Sequence, residues 1–122
     1  MRVLTNEDLK ITYDNLNSWF FSNRLPKNLP IRFGKPHGKS HASTWFEKDS
    51  HAPAKVVLRN FKDGRFNAML LIHEMIHIKF HTTMRYQKRF GCRPPARGCW
   101  SKAPWAKEVR RLARLGLFDW LV

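Results

Sequence analysis

The chain is 122 residues long, one domain's length, and its 43% hydrophobic content with nine Phe, five Trp and two Tyr excludes a disordered polymer. Its 23 Lys and Arg against nine Asp and Glu leave a net charge of +14, which points to a polyanionic partner, nucleic acid first, and argues against an acidic one. Two cysteines, Cys92 and Cys99, are too few for a disulfide framework, and no apolar run approaches the ~20 residues that span a bilayer.

Met1 to Leu9 carries charges and no apolar leader segment, so the expected setting is cytoplasmic, with reduced thiols and no membrane association. A nucleoid-associated protein, or a phage-encoded protein acting in a host cell, fits the same composition. Thr5 to Phe21 predicts the first helix: Leu9, Tyr13, Leu16 and Phe20 recur at spacings of four, three and four on one face. Thr5 and Asp8 form a capping pair, and the helix must end before Leu25-Pro26, because a residue preceding proline avoids the α region.

Three short strands follow, at Pro30 to Gly34, His41 to Glu47 and Ala54 to Phe61. Turn signals at Gly34 to Gly38 and at Asp49 to Pro53 separate them. Their short connections predict a small antiparallel or mixed sheet. His37, His41 and His51 flank these turns and strands and read as surface or structural residues.

After the Asp63-Gly64 turn, residues 65 to 80 are helical in pattern and apolar nearly all round, as a central buried helix should be. Inside it lies His73-Glu74-Met75-Ile76-His77, an H-E-x-x-H pentapeptide. Residues four apart on a helix lie on one face, so His73 and His77 can share one Zn²⁺. Glu74, one residue on, projects beside the metal. There it can act as general base, because the metal brings the pKa of a bound water near 7. Two histidines and a glutamate in an apolar helix need such a partner, since an unpaired buried polar group costs about 1–3 kcal/mol.

A catalytic zinc takes three protein ligands. His81 continues the spacing, but in a straight helix it stands about 12 Å along the axis from His73, so it can join only if the helix breaks near Lys79. Cys99, in the loop of residues 91 to 102, and Glu108, on the last helix, are the other candidates. That helix starts near Pro104 and carries Trp105, Val109, Leu112 and Gly116 on one face. Trp105 is expected in the core, as is the apolar end Leu117 to Val122. From Lys79 to Arg114 there are eleven Lys or Arg and one acid, Glu108. Lys88, Arg89, Arg93, Arg97, Lys102, Lys107, Arg110 and Arg111 are the candidate nucleic-acid contacts, non-specific and electrostatic. Trp100, Tyr86 and Phe90 are interleaved among them and suited to stacking on bases.

Together these features make one α+β domain over residues 1–122: an N-terminal helix, a small three-stranded sheet, a central H-E-x-x-H metal helix and a C-terminal helix. The order resembles the SprT-like metallopeptidases, which include the Spartan proteases. The resemblance covers most of the chain. It runs through Trp19 to Pro26, then Ile31-Arg32-Phe33, Ala42 to Phe46 and Val56-Val57-Leu58, then Leu71 to His77, then Trp105 to Leu112. It implies a zincin-like fold, a bound Zn²⁺, and cleavage of protein substrates near or crosslinked to DNA. The family takes its third histidine from a segment opening the next helix. That position falls on Ser101 here, which leaves the third ligand open between His81, Cys99 and Glu108. It also motivates an alternative, a nucleic-acid-binding protein on the same scaffold that is weakly active or inactive.

Overall fold

The computed structural model describes residues 3–47, 52–83 and 103–121. Helix α1 (Asn6–Phe20) leads into strands β1 (Ile31–Phe33), β2 (Ala42–Phe46) and β3 (Pro53–Leu58). Then come α2 (Gly64–Thr83), α3 (Ala103–Arg114) and the short α4 (Leu117–Leu121). The α+β class and the expected succession of elements hold, and no described helix is long and apolar enough to cross a membrane.

Helix α1 forms as its sequence directs. Thr5 accepts from the Asp8 backbone N–H while the Asp8 carboxylate accepts from the Thr5 N–H, a complete capping box. The apolar stripe Leu9, Tyr13, Leu16 and Phe20 is buried. The helix stops at Phe20, short of the proline, because Ser22 and Asn23 adopt left-handed backbone conformations with φ of 53° and 58°. The buried Asn17 amide donates to Leu25 O and its carbonyl accepts from Leu25 N, tying the following loop back to the helix.

The sheet is mixed, in the order β1-β3-β2. Central β3 runs parallel to β1 and antiparallel to β2, and its Val56, Val57 and Leu58 are all buried, as befits a strand covered on both faces. It ends at Leu58, three residues before the expected Phe61. There the Phe61 N–H leaves the strand to donate to the buried Asn67 side chain of α2. The Asn67 amide also donates to Val3 O and to Asn60 Oδ1, so one residue fastens the N-terminal segment and the β3–α2 turn.

Helix α2 is capped by Asp63, which accepts from the N–H groups of Arg65 and Phe66. It packs against β2 and β3 and touches α1, and its Leu71, Met75, Ile76 and Ile78 are fully buried. Burying each such side chain stabilises the fold by about 1.5–3 kcal/mol before entropy is counted. Trp105, Leu112, Leu117 and Leu121 close the core from α3 and α4. The chain's apolar end therefore packs inward at Leu117 and Leu121, while Phe118 remains 45% exposed.

Candidate metal centre

Helix α2 is apolar on almost every side, so polar groups near its middle are conspicuous. His73 and His77, one turn apart, bring their ring centroids to 4.9 Å at 74°. One donor atom from each of His73, Glu74 and His77 lies within 4.8 Å of the others. Both histidines are half-buried and Glu74 is only 4% exposed.

Two further described residues adjoin the group, and sequence reasoning assigned neither of them a role here. Thr44 on β2 donates its hydroxyl to Glu74 Oε1 at 2.8 Å. Its signal in the sequence was faint, a lone hydroxyl on the strand whose neighbours Ala42 and Phe46 pack against the core. Trp105 on α3 lies against both imidazoles, with centroids 4.8 Å from His73 and 4.9 Å from His77, and is buried as the helical pattern predicts.

The electrostatics of the group suit a cation. Burial pushes the Glu74 carboxyl up to about 7, with the Thr44 hydrogen bond opposing part of that rise. That hydroxyl is its one hydrogen-bond partner among the described residues. A carboxyl removed from water with so little compensation gains from a nearby positive charge. Burial holds His73 down at about 4, so its ring is neutral at ordinary pH, the form that ligates metals. The donor set could therefore hold a metal ion, with two imidazoles and a carboxylate on one stretch of helix.

The candidates for a third ligand fare differently. Helix α2 continues unbroken past Lys79 to Thr83, so the break that would let His81 join His73 and His77 is not present; the His81 side chain itself lies outside the described residues. Cys99 and Ser101 also lie outside them. Glu108 is described and is not a member of the donor group: its carboxylate is engaged by Lys79 and Arg111. His37 stands edge-on to Trp45, and His41 packs against Phe61 and Phe66, structural placements in keeping with the sequence reading.

Of the candidate nucleic-acid contacts, Lys107 and Arg110 are exposed on α3. Arg111 is not presented in that way. Its guanidinium pairs with Glu108 and sits 5.6 Å from the Phe21 ring. Lys88, Arg89, Arg93, Arg97 and Lys102 lie outside the described residues, as do Tyr86, Phe90, Trp100 and His51.

No family model, curated protein or solved structure matches the chain, so any functional reading stands on these residues alone.

Proposed function

We propose that this chain is a zinc-dependent metallopeptidase of the SprT-like kind, acting on DNA-associated proteins. The observation that carries the reading is the juxtaposition of His73, Glu74 and His77 donor atoms within 4.8 Å, on a helix otherwise given over to the core. His73 and His77 would hold the metal, with the third ligand drawn from outside the donor group. A bound Zn²⁺ supplies a Lewis acid that polarises an amide carbonyl and acidifies water. Glu74 moves the proton. Thr44 occupies Oε1, which leaves Oε2 to accept a proton from the attacking water and return it to the departing amine. A pKa near 7 suits a group that must do both.

Strand β2 offers a place for the substrate. It is an edge strand, and no described strand pairs on its outer side. His41 O accepts from Arg59 N, so by alternation the backbone groups of Ala42 and Thr44 face away from β3. An extended polypeptide added along that edge would pass the residue that holds Glu74.

The test is Glu74→Gln. The amide cannot accept the proton, so cleavage of a DNA-bound protein should fall by about 10²–10⁴ while one zinc per chain is retained. Cleavage at the wild-type rate would remove Glu74 from the role of base. The exposed Lys107 and Arg110 and the charge of +14 favour a second reading, a nucleic-acid-binding protein without turnover. DNA binding that weakens steeply with salt, from a zinc-loaded protein that cleaves nothing, would select it.

A further inference from the structure

Between Lys79 and Arg114 the chain has one acidic residue, and it is buried. The Glu108 side chain is 3% exposed and is held by two cations, Lys79 from α2 and Arg111 from its own helix. A carboxylate out of water is tolerated only when paired, so α3 is committed to lie where Lys79 can reach Glu108. One turn back on the same side of α3, three residues before Glu108, stands Trp105. Its ring meets His73, His77 and Phe80, three residues of one stripe of α2, with centroids 4.8, 4.9 and 6.0 Å away. The ion pair and the ring stack are thus two parts of one junction between α2 and α3.

We infer that Glu108 is a positioning residue of the candidate metal centre: by bridging Lys79 and Arg111 it seats Trp105 against the imidazoles of His73 and His77 and so fixes the directions of their ring nitrogens. The inference rests on the metallopeptidase reading for its purpose, though the juxtaposition does not depend on it. Two consequences follow from the chemistry. A packed indole limits rotation of both imidazoles, so less freedom is lost when they take up an ion. Glu108 also offsets one of the two positive charges that Lys79 and Arg111 bring to this junction, which leaves the three-residue cluster net positive.

The experiment follows the imidazole ring protons of His73 and His77 by NMR in the full-length protein, metal-free in EDTA, and then measures zinc affinity by competition with a chelating dye. Trp105→Leu reports the ring shifts that follow when the indole is lost. Glu108→Gln should move both histidines toward those values while far-UV circular dichroism stays that of the folded protein, and should weaken zinc binding by about tenfold or more. Glu108→Asp keeps the charge but draws the carboxylate back by one methylene. Partial movement of the ring signals in that variant supports positioning, whereas wild-type signals would reduce Glu108 to a charge and overturn the inference. Should Glu108→Gln fail to fold, Lys79→Gln removes the link between helices while leaving Glu108 paired with Arg111, and should move the same two signals in the same direction; unmoved signals overturn the proposal. A wild-type protein that binds no zinc would defeat the metallopeptidase reading, while the ring shifts would still decide the role of Glu108.

Discussion

Thr44 Oγ1 and Glu74 Oε1 lie 2.8 Å apart, joining an edge strand to α2 across thirty residues of chain. The hydroxyl donates, so it favours the ionised carboxylate against the burial that opposes it. Thr44→Val keeps the shape and removes the donor. The carboxyl should then rise above about 7, and the acid limb of the pH–rate profile should move to higher pH. Cleavage at neutral pH should fall about tenfold, in line with the 1–3 kcal/mol typical of an unmade buried hydrogen bond. Thr44→Ser should behave as wild type. A profile that Thr44→Val leaves in place would separate this hydroxyl from the chemistry.

Stability of the metal-free protein should carry the mark of the same carboxyl. The pKa of Glu74 is about 7 in the folded state against 4.5 for a free side chain. A raised carboxyl contributes stability that is complete below pH 4.5 and is lost as the pH climbs through about 7, because the unfolded chain releases its proton first. His73 runs the other way. Its pKa is about 4 against 6.5, so its contribution is complete above pH 6.5 and is lost as the pH falls toward 4. Glu74→Gln removes the first effect and leaves the second. In urea titrations with EDTA, its stability relative to wild type should start to rise above pH 4.5 and level off above pH 7. A constant offset across that range would mean that Glu74 is not buried in this way.

The parts of the fold legible in the sequence were those governed by local chemistry. Thr5 and Asp8 specify a cap within four residues, the stripe from Leu9 to Phe20 specifies a buried face, and the H-E-x-x-H spacing places two imidazoles on one side of α2. What could not be read was long-range. Thr44 gives no sign of its partner thirty residues away, and Glu108 reads as a ligand candidate until the structure shows Lys79 and Arg111 holding it. Asn67 similarly ended β3 early, through a side-chain bond to Phe61 N that no strand propensity encodes. Each is a polar group whose role is set by what the fold brings to it.

Asn67 should therefore be costly to replace. Its amide donates to Val3 O at 2.8 Å and to Asn60 Oδ1 at 3.0 Å, and its carbonyl accepts from Phe61 N at 3.2 Å. Asn67→Ala leaves a buried carbonyl and a backbone N–H unpaired, and about 2–4 kcal/mol of stability should be lost. Asn67→Asp cannot donate at neutral pH and sets an acid against Val3 O, so it should be no better than alanine at pH 7 and should recover partly in acid. Urea midpoints at pH 7 and pH 4.5 measure both, and an aspartate variant as stable as wild type at pH 7 would refute the donor role.

Zinc itself should stabilise the fold, and the size of the effect can be stated in advance. A ligand that binds only the folded state adds about 2.7 kcal/mol at one hundred times its Kd, on the order of 10 °C in the thermal midpoint of a domain this small. EDTA should reverse the gain. His73→Ala and His77→Ala should each abolish it, since two imidazoles are the only histidine ligands the described donor group supplies. Glu74→Gln should keep the gain, because that carboxylate is assigned to the proton and not to the metal. The pH dependence has a definite sign as well. With His73 held at about 4, protons do not compete for its ring at pH 5–6, so the loss of zinc affinity on mild acidification should reflect the other ligands. Differential scanning fluorimetry with and without one equivalent of zinc, repeated across pH 5–8, measures all of these. A Glu74→Gln protein that no longer gains stability from zinc would make that carboxylate a ligand and leave the reaction without its base.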